Sequence, residues 1–319
     1  MATNSQSSPP LPAPIFPCSV QPGGGWCMNL ELAWGRFRRA TLRLLRPGYV
    51  RAMASKRQGE CPHCPHDIID PRDLKYWRNV CGFWFRPKDD HFQWRGQIGF
   101  ARAGLAELLI FTLLLGAIAG SLSAAAALLH WALWIGVAAA LLVWLEVVWF
   151  FRDPERAIPA DTQALVSPAD GTVTHVEEVD DADFPGGRAL RISIFLSIFN
   201  VHVNRLPREG RVTGLRYYPG AFLDARHSDC AQRNEQLWID LQEPSGRLVR
   251  VKQISGAIAR RIVCWLKLGE EVKKGERLGM IKFGSRTDVL VAASDRPKVL
   301  VKVGDKVRGA ATVLLFLNQ

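Results

Sequence analysis

The sequence predicts a mainly β catalytic domain, built as a barrel or sandwich, that follows a two-helix transmembrane hairpin. Two observations support this fold class. The stretch 104–151 contains only three ionisable residues, Glu107, His130 and Glu146. After residue 152, short β-branched or alternating runs are separated by Gly- and Pro-rich turns. With 48% hydrophobic and 22% charged residues, wholesale disorder is excluded.

The membrane hairpin is predicted over 103–151. Two helices of about 20 residues, near 105–125 and 128–150, are long enough to cross the hydrocarbon core of a bilayer. Lys and Arg prefer the cytoplasmic side of membranes, so both ends of the hairpin are expected there. The arginines that flank the hairpin are Arg95, Arg102, Arg152 and Arg156. The alternative is a buried helical pair in a soluble domain.

Residues 152–319 are predicted to form the compact β domain. Two stretches, 268–279 and 303–309, loosely share a hairpin pattern that also occurs in biotinyl/lipoyl carrier domains. The predicted strands are 173–179, 190–196, 201–206, 237–241, 247–254 and 299–303. Their short, even spacing is typical of a barrel or sandwich.

The N-terminal part is the most basic part of the chain. Residues 1–103 contain 15 Lys and Arg against seven Asp and Glu, within a total net charge of +11. This excess favours an anionic membrane surface over nucleic acid, because no basic stripe interleaved with aromatic residues follows. Residues 1–52 begin with a Ser/Pro-rich run and are predicted to be a disordered basic tail. Alternating arginines and apolar residues over 36–46 leave an amphipathic helix on anionic lipid open.

Residues 53–102 are predicted to be a small accessory segment containing Cys and His. The seven cysteines of the chain are scattered, which favours a reducing compartment over a disulfide scaffold. Cys61 and Cys64 have the spacing of metal ligands, and Cys81 with His91 would complete a tetrahedral zinc site. A second Cys-x-x-Cys pair is absent from the sequence, so free thiols in an accessory segment are the alternative.

Three residues of the β domain could act together to activate a serine hydroxyl. His202 lies in an alternating run with polar neighbours on its own face. Asp170 lies in a Pro-Ala-Asp-Gly turn, and Ser285 follows Gly284. Together they supply a base, an orienting carboxylate and a nucleophile. Asp and Gly-Ser are also common in ordinary turns, which is the alternative for each residue alone.

Six ordered motifs resemble those of the phosphatidylserine decarboxylase proenzymes of the short bacterial and archaeal type. They are Phe-Arg-Asp-Pro-Glu-Arg at 151–156, Ser-Pro-Ala-Asp-Gly at 167–171, Phe-Asn-Val-His-Val-Asn-Arg at 199–205, Tyr-Pro-Gly at 218–220, Gly-Ala-Ile-Ala-Arg-Arg-Ile at 256–262 and Phe-Gly-Ser-Arg at 283–286. The resemblance covers roughly 100–319, whereas 1–95 has no counterpart in the family pattern. Gln236 departs from that pattern, in which an arginine commonly follows Asn-Glu.

The resemblance implies cleavage of the chain by itself between Gly284 and Ser285. His202, oriented by Asp170, would activate the Ser285 hydroxyl for attack on the carbonyl of Gly284. The products would be a β chain, 1–284, and an α chain that begins with a pyruvoyl group at 285 and ends at 319.

The resemblance also implies the substrate. The pyruvoyl ketone would form a Schiff base with the amine of phosphatidylserine, and loss of carbon dioxide would give phosphatidylethanolamine. Arg205 or Arg286 would bind the lipid phosphate or the departing carboxylate. The implied location is a bacterial-type inner cell membrane with the catalytic domain in the cytoplasm, and the implied partners are the membrane lipid and the two chains of the protein itself.

Two other functions are open at this stage. One is a membrane-tethered carrier module of the biotinyl/lipoyl type, in which Lys282 would be the modified residue. The other is a barrel that binds anionic lipid without cleaving itself. The sequence leaves the oligomeric state open.

Overall fold

The computed structural model describes residues 12–62, 64–227, 229–257, 261–282 and 284–317. The first eleven residues of the predicted tail lie outside this part of the chain. So do residues 258–260 and 283, which belong to two of the six motifs.

Two helices, α1 (Trp26–Leu45) and α2 (Pro47–Lys56), occupy much of the segment in which the sequence predicts a disordered tail. Met28 of α1 lies in a buried apolar cluster with Tyr76 and Met280. Arg38 and Arg39 of α1 form ion pairs with Asp70 and Asp73. Packing of this face stabilises the helices, which propensity alone would leave marginal. Residues 26–56 therefore differ from the predicted tail.

Helices α3 (Leu105–Leu128) and α4 (Leu133–Phe150) pack against each other as a hairpin. Both are long and apolar enough to cross a membrane. The indole N–H of Trp144 donates to the hydroxyl of Thr112 at 3.0 Å, which satisfies a polar group between the two helices. The first helix is three residues longer than predicted, and the second begins at Leu133 rather than at 128.

The rest of the described chain is mainly β, which confirms the predicted fold class. The strands are β1 (Ala164–Val166), β2 (Gly171–Asp180), β3 (Arg188–Leu196), β4 (Val203–Arg205), β5 (Gly210–Tyr218), β6 (Gln236–Gln242), β7 (Leu248–Ser255), β8 (Arg261–Cys264), β9 (Glu271–Val272), β10 (Arg277–Lys282), β11 (Ser285–Ala292), β12 (Lys298–Val299), β13 (Lys306–Val307) and β14 (Val313–Phe316). A one-turn helix, α5 (Cys230–Arg233), precedes β6.

Eight strands form one curled antiparallel sheet in the order β13-β2-β3-β11-β7-β6-β5-β9. Two smaller sheets, β1-β14-β12 and β4-β10-β8, complete the domain. One apolar core joins the sheets, because it includes Leu165 and Leu314 of the β1-β14-β12 sheet together with Ile194 and Leu237 of the large sheet. Strand β11 lies near the middle of the large sheet, between β3 and β7, so its first residue is held from both sides.

Two predicted strands are shorter than expected. The backbone N–H of Asn200 donates to the carbonyl of Ser197, so a turn precedes β4 and delays its start to Val203. Of the strand predicted over 299–303, only Val299 lies in a strand, β12, and a turn joins Lys302 to Asp305.

Candidate active site

Gly284 immediately precedes β11. Ser285 is the first residue of β11, where its register partners are Leu196 of β3 and Ser255 of β7. Gly284 has a φ of +62°, in the left-handed region that glycine adopts without steric cost. The two residues, hereafter the junction, combine an unusual backbone conformation with an anchored strand end.

A second glycine allows the chain to approach the junction closely. A Cβ atom placed on Gly256 would lie 2.5 Å from the carbonyl oxygen of Gly284, which is closer than real Cβ atoms come. Any side chain at 256 would therefore displace the carbonyl carbon that the proposed cleavage needs.

His202 is completely buried beside the junction. Its Nδ1 lies 2.9 Å from the carbonyl oxygen of Asn200, and its Nε2 lies 3.2 Å from the backbone nitrogen of Gly284. A carbonyl only accepts and a backbone N–H only donates, so Nδ1 carries the proton and Nε2 presents a lone pair. The ring can thus accept a proton at the junction.

The surroundings of His202 keep its ring neutral. Burial lowers the pKa of His202 to about 3, the carbonyl of Asn200 acts in the opposite direction, and the positive charge of Arg152 lowers the pKa further. Phe150, the last residue of α4, covers the ring with a centroid separation of 4.2 Å. A neutral imidazole at neutral pH is the form that acts as a general base.

The hydroxyl of Ser285 is buried and has no hydrogen-bond partner among the residues that the structure describes. Leaving a buried polar group unsatisfied costs about 1–3 kcal/mol. Deficits of this kind are expected where a group must react rather than stabilise the fold.

The structure gives Asp170 different partners from the predicted one. The carboxylate oxygens Oδ1 and Oδ2 of Asp170 lie 2.9 and 2.8 Å from Nη2 of Arg156. The backbone N–H of Gly309 also donates to Oδ1 of Asp170, at 2.7 Å. The ring of His202 is oriented by the carbonyl of Asn200 instead. The structure therefore does not show the predicted contact between Asp170 and His202. The turn before β4 places the carbonyl of Asn200 at Nδ1 of His202 instead.

Arg205 and Arg286 are nearly fully buried, in contrast to arginines that bind a lipid headgroup at the surface. Nη2 of Arg205 lies 2.8 Å from Oδ1 of Asp153. Nε of Arg286 lies 2.7 Å from Oδ1 of Asp288, and its Nη2 lies 2.7 Å from the hydroxyl of Ser193. Both guanidinium groups have internal partners in this structure, and their contact with the substrate stays a prediction.

The motif that follows α4 connects the other motifs. Arg152 donates to the carbonyl of Phe199 at 2.9 Å, ahead of His202. Asp153 pairs with Arg205 at the end of β4. Arg156 holds the aspartate turn, as described above. We call 152–156 the clamp segment, because three of its charged side chains fix three different parts of the site.

Sequence reasoning missed several partners in the site. A backbone carbonyl such as that of Asn200 has no sequence signature. Phe150 lies at the end of an apolar helix, where no feature of the sequence distinguishes it from its apolar neighbours. Gln236, the departure from the family pattern, is buried and bonded: its amide donates to the carbonyls of Ala231 and Asn234 at 3.1 and 3.2 Å.

The structure brings together three of the four predicted zinc ligands. The sulfurs of Cys61, Cys64 and Cys81 all lie within 4.8 Å of one another, and Cys61 is disulfide-bonded to Cys64. His91 is not part of this group. It lines a separate cavity with residues of α1 and with Tyr49, after the 3₁₀ helix Pro87–Asp89. The prediction that His91 joins the cysteines is wrong.

The fold and the junction define a mainly β protein, with two candidate membrane spans, whose site is built around an internal Gly–Ser bond. The family model for phosphatidylserine decarboxylase matches residues 145–315, which include the clamp segment, His202 and the junction. The chain belongs to the phosphatidylserine decarboxylase family.

Three relatives, each named phosphatidylserine decarboxylase proenzyme, show how far the similarity extends. The protein of Rhodopirellula baltica is 43% identical over 251 residues, covering 77% of this chain and 100% of the relative. That of Symbiobacterium thermophilum is 46% identical over 199 residues, covering 62% and 90%. That of Desulfotalea psychrophila is 47% identical over 174 residues, covering 54% and 80%.

The ion pair of Arg156 with Asp170 can be tested by substitution. Arg156→Met leaves the aspartate buried without its counter-ion, which is expected to destabilise the protein by about 3–5 kcal/mol. The measurement is the midpoint of thermal unfolding of the detergent-solubilised protein. A second change, Asp170→Asn, removes the unpaired charge and should restore part of the loss.

The matched control is Arg226→Met, which removes an exposed pair with Asp224 and should leave the midpoint almost unchanged. Equal midpoints for the Arg156 and Arg226 variants would show that the Arg156 pair does not hold the aspartate turn.

Proposed function

We propose that this protein decarboxylates phosphatidylserine to phosphatidylethanolamine, using a pyruvoyl group that it makes from its own Ser285. The observation that carries the proposal is the 3.2 Å approach of Nε2 of His202 to the backbone nitrogen of Gly284, next to a buried serine hydroxyl that has no hydrogen-bond partner within the described part of the chain. The names of the relatives support it, since each is called a proenzyme, the precursor of a processed enzyme.

Cleavage begins with proton transfer. His202 takes the proton of the Ser285 hydroxyl, and the oxygen attacks the carbonyl carbon of Gly284. The peptide C–N bond breaks, and an ester replaces it. Loss of the α-proton of residue 285 then breaks the Cβ–Oγ bond, which frees the carboxylate of Gly284 and leaves dehydroalanine. Water then adds to the dehydroalanine, the amino nitrogen of residue 285 departs as ammonia, and a pyruvoyl group remains at 285.

The pyruvoyl ketone supplies an acceptor for the electron pair that carbon dioxide leaves behind. The chain's own contribution is to position this group. Residue 285 remains at the start of β11, between β3 and β7, and Phe150 excludes water from the ring of His202. His202 is our candidate for returning a proton to the substrate's α-carbon.

The small α chain, 285–319, has no covalent link to the β chain, 1–284, after cleavage. Its β11 is hydrogen-bonded to β3 and β7, and its β14 is paired with β1, where Phe316 lies opposite Ala164. Backbone pairing and the apolar core therefore hold the two chains together.

The substrate is a membrane lipid, and α3 with α4 would keep the domain at the bilayer. The arginines at the outer ends of the hairpin favour the cytoplasmic side of an inner cell membrane for the catalytic domain. In this arrangement Trp149 and Arg152, at the end of α4, lie at the level of the headgroups, and the guanidinium of Arg152 stacks 3.9 Å above the indole ring.

Helix α1 has an exposed apolar face that fits the same membrane. Its members are Trp26, Leu30, Trp34, Phe37 and Leu44, and each is 53–79% exposed. Their spacing of three, four or seven residues places them on one side of the helix, opposite the side that packs on the protein. Trp34 lines a cavity together with Leu105 and Leu109 of α3, so the face continues the surface of the membrane helix. Exposed arginines beside it would attract anionic lipid.

The alternative of a carrier module modified at Lys282 is disfavoured. The side chain of Lys282 is buried and forms an ion pair with Glu107 at the base of α3. A lysine that receives a carrier group must be accessible to the modifying enzyme. A barrel that binds lipid without cleavage is distinguished by the first experiment below.

The first prediction concerns Ser285. The wild-type protein is expected as two chains, one ending at Gly284 and one beginning with a pyruvoyl group, whereas Ser285→Ala gives one uncleaved and inactive chain. Intact-mass spectrometry of the purified protein measures this. Ser294→Ala, which changes an exposed serine beyond β11, is the control and should be processed normally. An unbroken wild-type chain with an ordinary serine would refute the proposal.

The second prediction concerns pH. Because the pKa of His202 is lowered to about 3, the cleavage rate of the folded precursor should not fall as pH is lowered through 6.5, the ordinary value. A histidine with the ordinary pKa would lose about tenfold in rate per pH unit below 6.5. The unfolded chain takes up a proton that the folded chain does not, so stability declines below 6.5 and the folded fraction must be measured alongside. A tenfold fall per unit in folded protein would contradict the assignment.

The third prediction concerns α1. The double variant Trp34→Glu with Phe37→Glu places two negative charges on the apolar face and should lower activity on phosphatidylserine in anionic vesicles several-fold. Activity in detergent micelles and cleavage of the chain should be unchanged. Leu268→Glu, at an exposed position of the β domain, is the control. Unchanged vesicle activity in the double variant would show that α1 does not contact the bilayer.

A further inference from the structure

Three cysteines of the accessory segment converge at one place. The Sγ atoms of Cys61, Cys64 and Cys81 lie within 4.8 Å of one another, and those of Cys64 and Cys81 are 2.8 Å apart. A disulfide between Cys61 and Cys64 uses two of the sulfurs and gives no reason for the third to be there.

The backbone is built to bring these sulfurs together. Gln58 and Trp84 exchange two backbone hydrogen bonds, of 2.9 and 3.0 Å, on either side of the cysteines. A Cβ atom on Gly82 would lie 1.9 Å from the carbonyl oxygen of Glu60, so only glycine permits this approach. The convergence therefore follows from close pairing of the segments around residues 60 and 82.

Positive charges lie near the sulfurs. Lys267 and Arg57 both lie close enough to Cys81 to interact electrostatically with its sulfur. The ammonium of Lys267 also donates to the carbonyl of Cys81 at 3.3 Å. These cations suit a group of thiolates with a net negative charge better than they suit a neutral disulfide.

We propose that the reduced Cys61, Cys64 and Cys81 bind one zinc ion through their three thiolates. Zn–S bonds of about 2.3 Å place tetrahedral sulfur ligands about 3.8 Å apart. The sulfurs of Cys64 and Cys81, 2.8 Å apart in this structure, would therefore separate by about 1 Å on binding. The three thiols lose three protons on binding, and Zn²⁺ replaces them, so the site carries one net negative charge. The Cys61–Cys64 disulfide must first be reduced by two cellular thiols, which are oxidised to a disulfide of their own. Water completes the tetrahedron.

The zinc ion would fasten a part of the chain that has little regular structure of its own. Between α2 and α3 the described residues form only short 3₁₀ turns and isolated bridges. This segment nevertheless contacts the β domain, through Arg78 with Glu270 at 3.0 Å and through Lys267 at Cys81. Small segments without a sufficient core are commonly stabilised by a metal ion.

The test is the metal content of the full-length protein, purified in detergent under reducing conditions and without a metal-affinity step. Wild type should contain about one zinc ion per chain by elemental analysis, and Cys61→Ser, Cys64→Ser and Cys81→Ser should each lose it. His91→Ala and Cys230→Ser are controls that should retain zinc, since neither residue belongs to the cluster. Replacement by Co²⁺ should give a thiolate charge-transfer band in wild type.

A measurement on the wild type alone keeps the proposal falsifiable if the cysteine variants do not fold. An organomercurial that binds thiolates should release the zinc in step with modification of three cysteines. Absence of zinc from the reduced wild-type protein would overturn the proposal, and so would retention of zinc in a folded Cys81→Ser variant. Loss of zinc from His91→Ala would restore the ligand set that the sequence predicts.

Discussion

The site depends on one hydrogen-bonded ring. The imidazole of His202 is held between the carbonyl of Asn200 and the backbone N–H of Gly284, and both contacts require the neutral tautomer with its lone pair on Nε2. Orientation by a carbonyl rather than by a carboxylate matters, because a buried carboxylate at Nδ1 would favour the charged imidazolium. The turn before β4, the anchored start of β11 and the positive φ of Gly284 are all arrangements that this geometry needs.

The clamp segment explains how ion pairs shape the site without entering its chemistry. Asp153 and Arg156 each neutralise a buried partner, Arg205 and Asp170, from motifs that are far apart along the chain. Buried pairs of this kind add little net stability compared with apolar residues, but removing one member is costly. Their effect is to fix one relative placement of β4, the aspartate turn and the chain leaving α4.

Much of this could be predicted where a local pattern determines the outcome. The apolar stretch 104–151 identifies the helical pair, alternation identifies most strands, and the motifs identify the junction and His202. The partner of each charged side chain could not be predicted. Asp170 could pair with several arginines or with His202, and only the folded structure shows that it pairs with Arg156. His91 shares its residue type with zinc ligands, but spacing along the chain does not reveal the turn that takes it elsewhere. The pattern over 36–46 leaves a helix open, but the tertiary packing that stabilises all of α1, Trp26–Leu45, cannot be read from its composition.

The contact between Phe150 and His202 has a consequence for how such enzymes are handled. Phe150, the last residue of α4, covers the imidazole of His202, so a residue of the candidate membrane helix is also part of the candidate active site. A soluble fragment trimmed to begin after the hairpin would open that site to solvent, and the imidazole would regain much of its ordinary basicity. Such a truncation would therefore change the protonation of His202 as well as remove the attachment to lipid.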